Sequence, residues 1–292
     1  MKFENKSLHI GACSWKYDSW EGLVYDSAKP ENYLKEYAAK YDTVEIDQWF
    51  WSLFGENQVV LPKKDIVEEY AATVPDDFRF SIKVPNSLTL THFYKKQASE
   101  PLVVNPHFLS VDLFHRFLES IEGLLPKLGS LIFQFEYLNK QKMNSQTQFL
   151  ELLNQFLSGI QFKQGICIEI RNPYYLNLKY FELLQKQQIG HGFCQGYYMP
   201  PITEVYEKAY AYINGTNVIR LLGPDRQGIE KTTGKQWNKV VAPKDDEIPG
   251  IVRMIRRMVD HSGMDLYLNV NNHYEGSAPV TIAKFYNFLN KE

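Results

Sequence analysis

The chain has 292 residues, of which 44% are hydrophobic, 23% charged and 14% aromatic, and its formal net charge is -2 at pH 7. This composition excludes a disordered chain and is typical of a globular protein with a large core. The near-neutral charge provides no overall field that would attract nucleic acid or an anionic membrane, although a local basic cleft is compatible with it.

Short apolar runs recur along the chain, and each ends in polar residues or a turn signal. We predict that they are eight β-strands, at 8–15, 43–47, 78–84, 130–136, 165–171, 189–194, 217–222 and 266–272. Segments with helical patterns separate them, at 30–41, 63–74, 107–125, 145–160, 177–188, 203–213 and 247–263, and a last one follows at 278–291.

Strict alternation of strands and helices predicts parallel strands joined by right-handed crossovers. Eight repeats favour a closed (βα)8 TIM barrel of eight parallel strands, formed by a single domain over residues 1–292. No phosphate-binding glycine fingerprint follows the first strand, which argues against a dinucleotide-binding fold. The polar segment 223–250 is predicted to be a long loop with a short helix near 234–240.

The N-terminus lacks the apolar run of a signal peptide, and no segment approaches the roughly 18 apolar residues of a membrane span. We therefore predict a cytoplasmic protein. The chain has three widely spaced cysteines, Cys13, Cys167 and Cys194, and no C-x-x-C pair. We therefore expect reduced, buried thiols rather than a disulfide framework or a zinc site. The histidines have no H-x-H or H-x-x-x-H spacing, and we expect neither a metal nor a cofactor.

Polar side chains lie at the ends of the predicted strands, and counting by twos places them on one face of each strand. These residues are Glu45, Asp47, Lys83, Gln134, Glu136, Glu169, Arg171, Arg220, Asn269 and Asn271. The carboxyl ends of barrel strands form the rim where barrel enzymes have their active sites, so we expect these side chains to converge there. The mutual repulsion of Glu45 and Asp47 would be offset by Lys83, Arg171 and Arg220 across the lumen.

Two interpretations of this face are open: a ligand site, or a structural network of ion pairs that fills the lumen. His92 follows the third strand and is predicted to reach the rim, with a surface loop as the alternative. Trp15 is predicted to line the pocket, with core packing as the alternative. Asn271 and Asn272 have a second interpretation as caps of the turn into the last helix.

Seven segments near the strand ends form a series along the chain. They are GACSWKYDSW at 11–20, DTVEIDQWFWSL at 42–53, FSIKVP at 80–85 with TH at 91–92, LGSLIFQF at 128–135, IEIR at 168–171, VIRLLG at 218–223 and NVNNHYEGSA at 269–278. In this order they resemble the motifs of the DUF72 family, the YecE-like proteins, over nearly the whole chain.

The resemblance implies a barrel related in shape to the xylose isomerase and endonuclease IV group, whose members often bind divalent metals through carboxylates and histidines. It implies no established reaction, because the family is named for an unknown function. The chain departs from the family pattern: Asp47 replaces an Asn, Trp51 a Tyr and Leu222 a His, and Glu136-Tyr137 stands where paired prolines are common. These departures at the rim are compatible with a shifted substrate preference.

The leading hypothesis is an enzyme that acts on a small anionic substrate, such as a phosphorylated or carboxylated sugar, by acid/base chemistry at the rim. Arg171 and Arg220 would bind the anion, and Lys83 would stabilise negative charge or carry a proton. Glu45 or Glu169 would be the general base. The remaining predicted substrate-binding residues are Asp47, His92, Gln134, Asn269, Asn271 and Trp15. Hydrolase, isomerase and lyase chemistry all fit this set.

Two alternatives belong to other classes of protein. A nucleic-acid-binding or repair protein like endonuclease IV would need a basic groove, for which the candidates are Lys95, Lys96, Arg226, Lys231 and Lys235. Such residues are few, and a solvated loop explains them more simply. A non-catalytic binding scaffold is the other alternative. No metal is expected in the lumen, because the positive charges of its lysine and arginines would repel a divalent cation. In addition, His92 is the only histidine predicted to lie near the carboxylates.

Overall fold

The computed structural model of the chain describes residues 7–55, 58–95, 97, 99–260 and 264–291. The strands are β1 (Leu8–Cys13), β2 (Thr43–Ile46), β3 (Leu53–Gly55), β4 (Gln58–Val59), β5 (Arg79–Lys83), β6 (Leu128–Gln134), β7 (Ile166–Glu169), β8 (Gly190–Gly196), β9 (Thr216–Gly223) and β10 (Asp265–Val270). Eight of them form a closed barrel in the order β1-β10-β9-β8-β7-β6-β5-β2, and every pair of neighbours is parallel. The predicted (βα)8 barrel is confirmed.

Helices surround the barrel and fill the crossovers between its strands. They are α1 (Tyr33–Lys40), α2 (Lys64–Thr73), α3 (Asn86–Thr89), α4 (Val111–Ser120), α5 (Gln146–Gly159), α6 (Leu178–Gln187), α7 (Ile202–Ala209), α8 (Arg226–Thr233), α9 (Ile248–Val259) and α10 (Ala278–Leu289). Their apolar faces pack on the outer face of the barrel. For example, Phe133 of β6 contacts Phe114 of α4 and Phe156 of α5, with ring centroids 5.6 and 5.5 Å apart. Among the described helices, none combines the length and the apolar character that crossing a bilayer requires.

The predicted helix at 234–240 is wrong, and the helix of this segment is α8. Asp225 caps the N-terminus of α8, since its Oδ1 accepts a hydrogen bond from the backbone N–H of Gly228 at 2.9 Å. The helix ends at Gly234, which has a left-handed φ of 57°. Trp237, which lies within the predicted helix, is buried, and its backbone N–H donates to the Ser19 hydroxyl at 3.0 Å.

A small antiparallel hairpin, β3–β4, follows β2 and was not predicted from the sequence. Asn86, the first residue of the short helix α3, holds it in place. The Oδ1 atom of Asn86 accepts hydrogen bonds from the backbone N–H groups of Ser52 and Leu53, at 3.0 and 3.1 Å. The loops after β2 and β5 are therefore tied together on the C-terminal side of the barrel.

An apolar layer closes the lumen beneath the strand ends. It consists of Ile132, Cys167, Val218 and Tyr267, which cluster inside the barrel and are at most 4% exposed. Each stands two residues before a polar residue of the same strand, and these polar residues are Gln134, Glu169, Arg220 and Asn269. The polar layer is therefore accessible only from the C-terminal rim. The three cysteines are buried and free, as predicted.

We expect the substitution Gly190→Ala to destabilise the barrel strongly. A Cβ at this position would lie 1.6 Å from the Thr216 carbonyl oxygen and 3.1 Å from the Cys167 sulfur. Because backbone must move to relieve such a contact, the free energy of unfolding should fall by about 1–3 kcal/mol or more. Gly123→Ala is the control, because its nearest contact would be an ordinary 3.5 Å to Val67. Equal urea midpoints for the two variants would contradict this explanation.

Candidate active site at the C-terminal rim

Arg220 reaches across the barrel lumen from β9 and contacts three of the predicted site residues. Only 3% of Arg220 is exposed. Its Nε and Nη2 donate a bidentate pair of hydrogen bonds to Glu45, at 2.8 and 2.7 Å. Its Nη1 donates to Glu169 at 2.8 Å and to Gln134 at 2.9 Å. These four bonds use four of the five N–H groups of the guanidinium.

Glu45 is completely buried on β2, and both of its carboxylate oxygens are occupied. Among the described residues, Arg220 is the only one that donates a hydrogen bond to Oε1. Oε2 accepts from Arg220, from Asn269 Nδ2 at 3.1 Å and from the Cys13 thiol at 3.6 Å. Burial, followed by the charge of Glu45, raises the pKa of Cys13 well above its usual range. Cys13 is therefore a neutral thiol that donates a weak hydrogen bond to the carboxylate.

Glu169 is also completely buried, and it lies between two arginines. Its Oε1 accepts from Arg171 Nε at 2.7 Å and lies 2.5 Å from Arg171 Nη2, while Oε2 accepts from Arg220. Burial by itself would raise the pKa of Glu169, but the charges of Arg171 and then Arg220 outweigh it and lower the pKa to about 2. Glu169 is therefore a permanent anion at neutral pH.

Lys83 differs from the two arginines because the described residues offer its amine no hydrogen bond and no ion pair. It ends β5, is 8% exposed, and its Nζ lies 3.8 Å from the centroid of the Phe50 ring. Burial, followed by the repulsion of Arg220, lowers the pKa of Lys83 to about 8. At neutral pH this amine is charged but gives up its proton readily.

Asp47 follows β2 rather than lying on it, and it is half-buried. Burial and the neighbouring charge of Glu45 raise the pKa of Asp47, while the charges of Lys83 and Arg220 lower it less strongly. Asp47 and Lys83 therefore have pKa values shifted toward each other from opposite sides.

Three predicted site residues lie apart from this network. His92 bonds through Nδ1 to the Thr91 hydroxyl at 2.9 Å, and burial and the charge of Lys142 lower its pKa. Trp15 is 5% exposed and packs edge-on against Tyr70 beside a surface pocket between α1 and α2. Asn271 turns back to accept a hydrogen bond from the backbone N–H of His273, at 2.9 Å.

The neighbouring Asn272 caps the last helix, which was the alternative given for it: its Oδ1 accepts from the backbone N–H of Ala278 at 2.8 Å. Glu136, the other acid counted at a strand end, is ion-paired with Lys142. The rim network thus consists of residues on β2, β5, β6, β7, β9 and β10, with Arg171 from the loop after β7. The structure brings together Glu45, Lys83, Gln134, Glu169, Arg171, Arg220 and Asn269, with Asp47 beside them.

Sequence reasoning missed a group of tyrosines next to this network. Tyr137, Tyr174, Tyr197 and Tyr198 line a cleft of about 440 Å³ together with Arg171 and Pro173. Arg171 stacks on Tyr197, with its guanidinium carbon 4.9 Å from the ring centroid. The available signal was a Tyr-Tyr pair shortly after two successive strands, PYY at 173–175 and GYY at 196–198.

The residues present do not fit a divalent metal of the kind that the resemblance to the endonuclease IV group implies. The oxygens of Glu45 and Glu169 bind arginines, and His92 lies beside the Glu136–Lys142 ion pair instead. In the part of the chain that the structure describes, no group of three or more His, Cys, Asp or Glu side chains is arranged for a metal ion.

Comparison with protein families gives a match over residues 9–292 to the model of DUF72, described as a protein family of unknown function. The chain belongs to the DUF72 family. Among curated proteins, the UPF0759 protein YecE of Escherichia coli K12 is 24% identical over 166 residues, which is 57% of this chain and 49% of YecE. The match thus spans about half the length of that relative.

Solved structures of DUF72 proteins share the fold. One from Enterococcus faecalis V583 has a TM-score of 0.68 at 18% identity, covering 98% of this chain and 96% of that one. One from Thermotoga maritima MSB8 has a TM-score of 0.65 at 19% identity, covering 97% and 99%. These similarities establish the DUF72 barrel but carry no information about a reaction.

Proposed function

We propose that this DUF72 protein is an enzyme that acts on a small anionic substrate by acid/base chemistry at the C-terminal rim of the barrel. Lys83 is the proton carrier and Arg171 anchors the anion. The observation that carries the proposal is the buried amine of Lys83, which has no ion pair among the described residues although carboxylates lie nearby. Hydrolysis, isomerisation and elimination are all compatible with this arrangement.

A lysine amine with a pKa of about 8 is suited to proton transfer at neutral pH. Both of its forms are populated under these conditions, whereas an ordinary lysine is almost entirely protonated. Burying a charged amine without a hydrogen bond or an ion pair also destabilises a fold, so such a residue is a candidate for function. The half-buried carboxyl of Asp47, with its raised pKa, supplies a second proton-exchanging group.

Glu45 and Glu169 are better suited to positioning than to acting as the general base. Both are completely buried and bound to Arg220, and Glu169 with a pKa of about 2 is a weak base. Arg220 in turn has one N–H group left for a ligand, so it cannot bind an anion through two parallel hydrogen bonds. We assign these three residues to a rigid, charged floor beneath the substrate.

Arg171 is the better anion anchor because it lies at the boundary between the floor and the cleft. Its side chain is 13% exposed, and it lines the cleft of about 440 Å³. Glu169 fixes Nε and Nη2, which orients the guanidinium, and Nη1 makes no hydrogen bond to the described residues. A guanidinium held in this way is preorganised to bind a carboxylate or a phosphate.

No observation favours the nucleic-acid alternative. Two of the candidate basic residues, Arg226 and Lys235, surround Glu230, at 2.8 and 3.7 Å. Lys96 lies outside the described residues. We therefore propose no second function for this protein.

The test is to incubate the purified protein with a mixture of anionic metabolites at pH 8 and to follow consumption by untargeted mass spectrometry after a chromatographic separation that resolves isomers. We expect wild type to consume at least one metabolite and Lys83→Met to do so at least about 100-fold more slowly, since general acid/base catalysis typically contributes 10²–10⁴-fold. Lys231→Met, which changes an exposed lysine of α8, is the control and should behave as wild type. Equal rates for wild type and Lys83→Met would refute the role of Lys83. Binding without consumption by any variant would instead establish a non-catalytic scaffold.

A further inference from the structure

The cleft beside Arg171 has the dimensions and the position of a ligand pocket. Its lining comes from the loops after β6, β7 and β8, and its volume of about 440 Å³ lies in the usual range for small-molecule sites. Arg171 belongs both to the cleft and to the lumen network, since it also contacts Glu169 and Gln134. A molecule in the cleft would therefore lie next to the charged floor that Glu45, Glu169 and Arg220 form.

The tyrosines of the cleft are unusually exposed for large aromatic side chains. Tyr137 is 57% exposed, Tyr174 88% and Tyr198 98%. Single exposed aromatic residues are common, but several that line one concave site are characteristic of ligand recognition. Their rings present flat apolar faces, and their hydroxyl groups keep them compatible with solvent when the cleft is free.

The backbone that carries two of these tyrosines adopts an uncommon conformation. Gly196, Tyr197 and Tyr198 have consecutive φ values of 134°, 51° and 63°. Left-handed φ angles at tyrosine are unfavourable and are retained mainly where they position side chains for function. Here they place the Tyr197 ring against Arg171 and leave Tyr198 almost fully exposed at the cleft.

The chemistry of the lining restricts the class of ligand. Among the described lining residues, Arg171 is the only charged one, and the others are four tyrosines and a proline. A polyhydroxylated sugar is typically bound through many hydrogen bonds to carboxylates and amides, whereas the polar groups of this lining are four tyrosine hydroxyls and one guanidinium. An aromatic ring needs flat apolar faces, which the tyrosines supply.

We infer that the cleft binds a small molecule in which a flat aromatic ring carries a carboxylate or phosphate group. The ring stacks among Tyr174, Tyr197 and Tyr198, and the anionic group is bound by Arg171. This inference rests on the proposed function only in treating that molecule as the substrate. It narrows the substrate class from small anions in general to aromatic anions.

The experiment is isothermal titration of the protein with a set of related probes. 2-Naphthoate and 2-naphthyl phosphate carry both features and separate the two anionic groups, while 2-naphthol lacks the charge and glucose 6-phosphate lacks the aromatic ring. We expect at least one of the aromatic anions to bind at least about 10-fold more tightly than 2-naphthol and glucose 6-phosphate. Tighter binding of glucose 6-phosphate would overturn the inference.

Variants then locate the site. Tyr174→Ala and Tyr198→Ala should each weaken binding of the better aromatic anion by about 2- to 10-fold, from typical stacking contributions. Tyr210→Ala is the matched control, since Tyr210 is also an exposed tyrosine beside an arginine, Arg257, but lies after α7. Equal affinities of all three variants would place binding elsewhere. Both tyrosines of the cleft are exposed, so these variants are expected to fold normally.

Arg171→Met should remove the preference for the aromatic anions over 2-naphthol, because the charge that distinguishes them is lost. The titrations require no turnover, so their outcome is separate from the metabolite experiment. Binding of aromatic anions without any metabolite consumption would support this inference and reject the proposed enzyme. Consumption of an aliphatic anion by a protein that binds no aromatic probe would give the opposite result.

Discussion

Replacing Arg220 by methionine is expected to lower the free energy of unfolding at pH 7 by about 3–5 kcal/mol. The substitution leaves Glu45 and Glu169 completely buried while removing the cation that both of them bind. Breaking a buried ion pair by removal of one partner typically has an effect of this size, because an uncompensated charge remains in the core. Urea unfolding followed by circular dichroism would measure it.

The matched control for this prediction is Arg226→Met. Arg226 also binds a glutamate, Glu230, at 2.8 Å, but its side chain is 64% exposed. Exposed ion pairs contribute little, so this variant should lose less than about 1 kcal/mol. If both variants lost the same stability, burial of the lumen network would have no special importance.

The pH dependence identifies the charge as the cause. The pKa of Glu169 falls from its ordinary 4.5 to about 2 on folding, so this group stabilises wild type above pH 4.5 and the contribution disappears as the pH falls toward 2. Arg220→Met removes part of that stabilisation. The difference between wild type and variant should therefore be largest above pH 4.5 and should narrow by pH 3. A difference that is constant with pH would indicate lost packing instead.

The placement of the polar residues was accessible from the sequence because it depends on a property of single strands. Side chains alternate between the two faces, so counting by twos from the apolar core residues assigns Glu45, Glu169 and Arg220 to the same side. The eight apolar runs likewise determine the barrel, since alternation with helices leaves few other topologies. These conclusions need no knowledge of distances between strands.

The pairing inside the lumen was not accessible in this way. Whether Arg220 is free for a ligand depends on its contacts with β2, β6 and β7 across the barrel, and those depend on the tilt and stagger of all the strands. A sequence pattern does not encode that stagger. The prediction that Glu45 or Glu169 is the general base was limited for the same reason. From the sequence alone, both carboxylates could accept a proton from a substrate, and the contacts that occupy them are not known.

Loops limited the prediction for a different reason. His92 follows β5 by several residues, and its direction depends on the loop that pairs it with Val104 in an isolated bridge. The sequence shows that tyrosines follow β7 and β8. Their convergence depends on left-handed backbone at Tyr197 and Tyr198, which residue type does not predict.

Lys83→Met is expected to have the opposite effect on stability from Arg220→Met: it should stabilise the protein at pH 7. The pKa of Lys83 falls from 10.5 to about 8 on folding, so the unfolded chain holds this proton more tightly than the folded protein does. At about 1.36 kcal/mol per pKa unit, the charged amine destabilises the fold by about 3 kcal/mol at every pH below 8. Methionine has a similar length and no charge, so a net gain of about 1–3 kcal/mol is expected.

The gain must depend on pH if this explanation is correct. Between pH 8 and 10.5 the folded protein releases the proton before the unfolded chain does, so the stability of wild type rises relative to Lys83→Met. The advantage of the variant should thus be constant below pH 8 and almost absent near pH 10.5, as measured by urea unfolding at several pH values. Lys127→Met is the control: the Lys127 amine donates to the carbonyl oxygens of Ala71 and Val74, at 2.9 and 2.7 Å, so its loss should destabilise. If Lys83→Met also destabilises at pH 7, the amine is satisfied in the folded protein, and the main argument for its role as a proton carrier is lost.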